Sequence, residues 1–266
     1  MNNNPIGLFD SGFGGLTVMS AVNKALPYEN LIYFGDSAHV PYGSKSQETV
    51  IRFSKNIAAF LVSKKIKMLI IACNTATAHA LPTIKKMLKI PVIGVIEPGS
   101  KAAIAATITN KIGVIGTQGT IESNSYKKAI NKISKSASVY QQACPLFVPI
   151  VEEGWTNTKI ANETAQIYLN PLIDKKIDSL VLGCTHYPLL KSALIKVIGK
   201  NIKLVDSANA VSCEVKRVLN ERNLFSNKNR PAVLTFYTSD NPKKFQKLGS
   251  IFFEQKIPKV KKVILE

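Results

Sequence analysis

The sequence predicts an α/β fold in which two similar halves each contain a mainly parallel sheet covered by helices. Two patterns predict it: short apolar runs alternate with helical spacing, and motifs of the first half return in the second. Such alternation is typical of parallel sheets with both faces covered. The chain has 266 residues, 45% of them hydrophobic, which is enough for one large domain or two small ones.

The first half is predicted to contain four strands with helices between them. The strands are predicted at residues 5–9, 31–35, 68–72 and 91–96, and the helices at residues 16–26, 46–65 and 75–88. Pro27 ends the first helix, and Pro82 predicts a break in the third. A glycine-rich turn at residues 12–15 lacks the GxGxxG order of dinucleotide-binding turns, so we expect no nicotinamide cofactor.

The second half repeats this scheme. Strands are predicted at residues 111–115, 179–182 and 203–205, and a helix follows the turn at residues 116–120 and continues through residue 133. Residues 6–11 align with 112–117, and residues 69–73 align with 180–184. Each half thus contains a turn with a hydroxyl group and later a cysteine directly after a buried strand. Internal duplication explains both matches, whereas chance similarity of α/β strands is the alternative.

The net charge limits the classes of function. Lysine and arginine total 35 against 17 acidic residues, which gives a formal charge of +18. The lysines are scattered, and there is no arginine-rich arm, zinc-finger spacing or aromatic RNA-binding signature. This pattern favours a solvated surface that is rich in lysine, and electrostatic attraction of a small acidic molecule is an alternative. A basic nucleic-acid-binding protein is the alternative from another class.

Cysteine usage and the start of the chain predict the location. Four cysteines without a CxxC pair favour free thiols in a reducing cytoplasm. No apolar run is long enough to cross a bilayer, and the first residues lack a secretory signal. We therefore expect a cytoplasmic location and no membrane partner. Histidines and cysteines form no close-spaced ligand pairs, so we expect no metal site.

Cys73 and Cys184 follow the two matching strands, at the sheet edge where open α/β folds bind ligands. We expect both to lie at helix starts, where free N–H groups and the helix dipole lower a thiol pKa. We expect Cys144 and Cys213 to be buried and inert. The cysteines are followed by compact polar residues, Asn74-Thr75 and Thr185-His186.

Two such clusters facing each other across a cleft would place one sulfur on either side of a planar carbon. That arrangement suits removal of a proton from one face and delivery to the other. A cysteine hydrolase with His186 as its base is an alternative, and a simple packing role for each cysteine is another.

Seven segments resemble the glutamate racemase family in the family's order: FDSGFGGLTV (9–18), GDSAHVPYGSKS (35–46), ACNTATA (72–78), GVIEPG (94–99), IGTQGT (115–120), PLFVPIVEEG (145–154) and LGCTHYPLL (182–190). The resemblance implies two flavodoxin-like α/β domains related by a pseudo-twofold axis, with the active site in the cleft between them. It places residues 1–97 and 208–266 in the first domain and residues 98–207 in the second.

The resemblance also implies the roles of individual residues. Cys73 would act on D-glutamate and Cys184 on L-glutamate, with Asp10 and His186 assisting them and Glu152 nearby. The substrate would be bound by Asp10, Ser11, Pro41, Tyr42, Gly43, Asn74, Thr75 and Thr185, with further contributions from Thr117 and Thr120. No lysine motif for pyridoxal phosphate is present, so the expected reaction needs no cofactor.

The chain departs from the family at His39, where arginine is common, and at Phe13, where a smaller apolar residue is common. Both are expected to affect loop packing or gating. A racemase for aspartate is the nearest alternative, but its relatives tend to have Glu at the position of His186, which favours glutamate. The resemblance further implies a supply of D-glutamate for peptidoglycan, a homodimer, and an interaction with DNA gyrase as a second role.

Overall fold

The computed structural model describes residues 2–227 and 229–265, which contain ten strands and eleven α-helices. The strands are β1 Ile6–Asp10, β2 Leu31–Gly35, β3 Met68–Ile71, β4 Val92–Gly94, β5 Lys111–Gly116, β6 Ser138–Ala143, β7 Ser179–Gly183, β8 Lys203–Val205, β9 Leu234–Thr238 and β10 Val260–Lys262. The helices are α1 Leu16–Ala25, α2 Gln47–Ser63, α3 Asn74–Met87, α4 Ile96–Ala106, α5 Gln118–Glu122, α6 Ser125–Ile133, α7 Phe147–Glu152, α8 Lys159–Ile173, α9 Lys191–Ile198, α10 Ser207–Glu221 and α11 Pro242–Phe253.

The strands form two sheets, and every strand pair in them is parallel. The first sheet has the order β10-β9-β2-β1-β3-β4 and the second has the order β6-β5-β7-β8. Four successive strands thus pair in the same order, 2-1-3-4, in both sheets, which is the flavodoxin-like order. The predicted fold of two similar parallel-sheet halves is confirmed.

The central strands are apolar because both of their faces are covered. Every residue of β1, β2 and β7 is buried. Successive side chains of β1 point to opposite faces, so that Leu8 packs with Tyr33 in one core cluster and Phe9 packs with Phe34 in another. The carboxyl ends of these strands therefore stand at one edge of a rigid, fully buried sheet.

Two helix predictions are wrong. Helix α3 continues through Pro82 without a break, because Ala76, Ala80 and Ile84 are buried on both sides of the proline and hold the helix against the sheet. The helix predicted through residue 133 is two helices, α5 and α6, separated at Asn124, whose φ of 55° is left-handed. Asparagine tolerates this conformation better than most residues.

The predicted strand at 91–96 is shorter than expected, because Ile96 already begins α4. Helices α4 and α7 to α11 and strands β6, β9 and β10 were not predicted. The division of the chain at residues 97/98 and 207/208 stays a prediction; β1–β4, β9 and β10 belong to one sheet and β5–β8 to the other. No helix in the described ranges is long and apolar enough to cross a membrane.

Candidate active site

Residues from the two sheets meet at the carboxyl ends of their strands. Asp10 ends β1, Cys73 follows β3, Thr117 follows β5 and Cys184 follows β7. Eleven of the fourteen predicted site residues line one small cavity of about 20 Å³: Ser11, Pro41, Tyr42, Gly43, Cys73, Asn74, Thr75, Thr117, Cys184, Thr185 and His186. The other three do not line the cavity but bond to residues that do: Asp10, Glu152 and Thr120.

Cys73 is the N-cap residue of α3, as expected from its place after a strand. Its sulfur accepts the backbone N–H of Ala76 at 3.4 Å and donates to Ser11 Oγ at 3.8 Å. Burial and the nearby Asp10 carboxylate nevertheless raise its pKa to about 12, which outweighs the N–H bond. The expected lowering of the Cys73 pKa is therefore wrong, because desolvation of the thiolate exceeds the helix effect.

Cys184 does not begin an α-helix, contrary to the prediction; a short 3₁₀ helix at Tyr187–Leu190 follows it. Its sulfur lies 3.9 Å from His186 Nδ1, and His186 Nε2 lies 3.0 Å from Glu152 Oε1. Burial by itself lowers the pKa of His186, but its bonds to Cys184 and Glu152 raise it to about 10. The ring is therefore an imidazolium at neutral pH, with one N–H directed at each partner.

Asp10 connects the two halves. Its Oδ2 accepts the backbone N–H of Gly12 at 3.0 Å, within the glycine-rich turn. Its Oδ1 accepts the hydroxyl of Thr185 at 3.3 Å, directly beside Cys184. Burial raises the pKa of Asp10 against the lowering effect of His186 and of these bonds. The carboxyl group is thus within electrostatic reach of Cys73 and of His186 at once.

Three hydroxyl groups form a triangle across the cleft. Thr75 Oγ1 lies 2.8 Å from Thr117 Oγ1 and 3.1 Å from Thr120 Oγ1, and the last two lie 3.0 Å apart. Thr75 belongs to α3, whereas Thr117 caps α5 in the other half by accepting the N–H of Thr120. A hydroxyl both donates and accepts, so Thr75 and Thr117, which line the cavity, are able to turn their hydrogens to an anion there, while Thr120 bonds to both from behind.

Asp36 is a site-supporting carboxylate that the sequence reasoning missed. It is buried at the end of β2 and accepts hydrogen bonds from Tyr42 Oη at 2.5 Å and from His39 Nδ1 at 2.9 Å. Tyr42 lines the cavity, so Asp36 holds the cavity wall from behind. The available signal was its position, since Asp36 directly follows β2 next to the strand that Asp10 ends.

The two departures from the family pattern lie next to aromatic rings. His39 stacks on Phe53 with ring centroids 4.1 Å apart, and Phe13 lies 5.4 Å from the ring of Phe245. All four cysteines are free thiols. Cys144 is buried as expected, but Cys213 is exposed on α10, because it falls on the outer face of that helix.

Among residues 2–227 and 229–265, no group of three histidine, cysteine, aspartate or glutamate side chains is arranged to hold a metal ion. The site instead offers thiols, carboxyl groups, an imidazolium and hydroxyls, which are groups that transfer protons or bind carboxylates.

Two parallel sheets, each followed by a cysteine that lines one shared cavity, fit the class of amino-acid racemases. The sequence pattern of the Asp/Glu/hydantoin racemase family matches residues 6–212. The chain belongs to this family, and its relatives place it with the glutamate racemases.

The similarity extends over the full length. The glutamate racemase of Geobacter metallireducens is 50% identical over 98% of this chain and 97% of its own. That of Syntrophus aciditrophicus is 46% identical over the same shares. The crystal structure of the Francisella tularensis glutamate racemase in complex with D-glutamate superposes with a TM-score of 0.94 at 39% identity, covering 100% of this chain and 99% of that one.

Proposed function

We propose that this protein interconverts L-glutamate and D-glutamate by moving the α-proton between Cys73 and Cys184, without a cofactor. The main observation in support of this proposal is that thiols that follow strands of two different sheets line the same cavity. The relatives named glutamate racemase, and the one whose structure contains D-glutamate, support glutamate as the substrate. The D-glutamate produced supplies peptidoglycan synthesis.

In the L-to-D direction Cys184 removes the proton. The Cα–H bond of L-glutamate breaks, and its hydrogen forms an S–H bond on Cys184. The electron pair left on the planar carbon then takes the hydrogen of the Cys73 thiol from the opposite face, which forms D-glutamate and leaves Cys73 as a thiolate. The D-to-L reaction is the same sequence in reverse, so no proton is gained or lost over either turnover.

The surroundings of the two sulfurs fit these starting roles. Cys73, whose pKa burial raises to about 12, carries a proton at neutral pH and is ready to donate it. The His186 imidazolium lies 3.9 Å from Cys184 and places a positive charge beside the sulfur that removes the proton. In the reverse direction Asp10, held beside Cys73, assists its deprotonation.

The α-proton of an amino acid is very weakly acidic, so the site must stabilise the developing negative charge. Burial of both thiols and of Asp10 excludes water and strengthens each electrostatic contact. The hydroxyls of Thr75 and Thr117 and the amide of Asn74 are donors available to the two substrate carboxylates.

Single substitutions test the proposal. Cys73→Ser and Cys184→Ser each lose racemisation by at least about 10³-fold, because serine is a far weaker acid than cysteine and cannot take its place. Circular dichroism of D- and L-glutamate solutions follows the reaction, and the thermal unfolding midpoint checks the fold. Cys213→Ser, at an exposed thiol outside the site, is the matched control and keeps full activity. Near-normal turnover in either site variant would overturn the two-thiol scheme.

The same assay with both acidic amino acids decides the substrate. Glutamate is expected to turn over faster than aspartate, and the opposite order would replace glutamate with aspartate in the proposal. A homodimer and an interaction with DNA gyrase stay predictions from the resemblance, and a cytoplasmic location stays a prediction from the cysteine usage.

A further inference from the structure

Tyr126 reaches from one half of the protein to the other. It lies in α6 of the second half, and its hydroxyl donates to Oδ1 of Asn74, the first residue of α3, at 2.7 Å. Both side chains are buried. Asn74 follows Cys73 directly and lines the same cavity, whereas Tyr126 is not among the residues that line it.

The nitrogen of the Asn74 side-chain amide, Nδ2, is buried and has no hydrogen-bond partner among the described residues. A buried donor without a partner is costly, and native proteins keep few of them. Because Asn74 lines the cavity and its amide oxygen is occupied by Tyr126, the unpartnered nitrogen is the group that this amide has available for a ligand there.

The hydroxyl of Tyr126 fixes which way the amide faces. Burial and the neighbouring Cys184 both raise the pKa of Tyr126, so the phenol stays protonated and donates its hydrogen to an oxygen. A flipped amide would place its oxygen at the cavity, where it would repel a carboxylate. The hydrogen bond from Tyr126 therefore selects the orientation of the Asn74 amide in which its N–H groups are available to a carboxylate in the cavity.

Two glycines leave space for the ring of Tyr126. A Cβ atom at Gly99 in α4 would lie 3.2 Å from Tyr126 Oη, and a Cβ at Gly183, the residue before Cys184, would lie 3.1 Å from the ring edge. Side chains at these two positions would crowd the tyrosine. The left-handed backbone of Asn124 turns the chain just before Tyr126, at the start of α6.

We propose that Tyr126 is a positioning residue for glutamate racemisation, which orients the Asn74 amide so that its nitrogen donates to a carboxylate of the bound substrate. This inference rests on the proposed function, because it requires a carboxylate in the cavity. Since the contact joins the two halves, the donor reaches its working orientation only when the cleft is closed around the substrate.

Steady-state kinetics of Tyr126→Phe, Asn74→Ala and the double variant test the inference in both reaction directions. Tyr126→Phe keeps the ring and removes the hydroxyl. Its KM for D- and L-glutamate is expected to rise about 10-fold with kcat within about twofold, because the lost contact stabilises ground state and transition state alike. Asn74→Ala is expected to raise KM at least as much as Tyr126→Phe does. Adding Tyr126→Phe to the Asn74→Ala variant is expected to raise KM further by less than about twofold.

Tyr168→Phe is the matched control, since it removes a partly buried tyrosine hydroxyl that accepts from Leu146 N at 3.4 Å, outside the site. The control is expected to keep the KM of the wild type. If Tyr126→Phe kept the KM of the wild type, or if the KM increases of the two single variants multiplied in the double variant, the inference would be wrong. The proposed function would stand in either case, because the wild type would still racemise glutamate. Wild-type protein without racemase activity would instead refute the proposed function and the inference with it.

Discussion

His186 is the side chain whose charge the catalytic scheme depends on most. It is buried between Cys184 and Glu152, and these two partners raise its pKa from 6.5 to about 10 against the opposing effect of burial. A group with a raised folded-state pKa contributes stability fully below its unfolded pKa and loses it as the pH rises. The contribution of His186 is therefore complete below about pH 6.5 and lost as the pH rises through about 10.

Glu152→Gln tests this charge. Removing the carboxylate lowers the pKa of His186, so the fall of kcat/KM at high pH is expected to begin roughly one pH unit lower than in the wild type. The pH profile of L-to-D turnover measures it. Glu153→Gln is the control, because Glu153 is exposed next to Glu152, whereas the carboxylate paired with His186 is that of Glu152. If the fall of kcat/KM at high pH were unchanged in Glu152→Gln, the role assigned to the pair of His186 and Glu152 would be wrong.

The loop after β2 illustrates how an element supports the cavity. Asp36 directly follows the strand and accepts hydrogen bonds from His39 and Tyr42, so that one carboxylate fixes two later positions of a short loop. His39 in turn stacks on Phe53 of α2. The residue that departs from the family pattern thus packs behind the cavity wall rather than within it.

Asp36→Ala is expected to raise the KM for glutamate roughly 10-fold, because Tyr42 loses its buried partner and the loop loses its anchor. Steady-state kinetics in both directions measure the change. Asp240→Ala removes an exposed carboxylate that pairs with Lys262, and it should leave KM unchanged. If the two variants behaved alike, Asp36 would not support the cavity.

The elements that frame the site were predictable from the sequence because they are the most apolar ones. Strands β1, β2, β3 and β7 are short apolar runs followed by polar residues, and their ends carry Asp10, Asp36, Cys73 and Cys184. In contrast, β6 is an edge strand with the sequence Ser-Val-Tyr-Gln-Gln-Ala and no fully buried residue, so no apolar run marks it.

Helix α4 was missed for a different reason. Pro98 and Gly99 resemble a turn in the sequence, but Pro98 lies in the first turn of the helix, where a missing backbone N–H costs nothing. The lowered pKa expected for Cys73 failed because the sequence shows the helix start but not the depth of burial. Contacts between distant segments, such as Tyr126 with Asn74, leave no local signal at all.

The two halves together form a closed arrangement. A cavity of about 20 Å³ has room for about one water molecule and not for an amino acid. We therefore expect the two halves to move apart when glutamate enters or leaves, which would break the contacts of Thr185 with Asp10, of Thr117 with Thr75 and of Tyr126 with Asn74.

The net charge of +18 adds a long-range attraction for the anionic substrate. Several lysines already pair with carboxylates on the surface, as Lys24 does with Glu254 and Lys191 with Asp206. The charge is thus spread over the molecule, and the selective contacts are those inside the cleft.

Isotope transfer in D₂O tests the opposed-thiol arrangement most directly. With D-glutamate as the starting enantiomer and conversion kept to the first few per cent, the L-glutamate formed is expected to carry deuterium at Cα, because Cys184 delivers a solvent-derived hydrogen from the face opposite to Cys73. The remaining D-glutamate should keep its protium. Proton NMR and mass spectrometry measure both. L-glutamate that retained the original protium, or D-glutamate that gained deuterium as fast as product appeared, would show a single base and contradict the account.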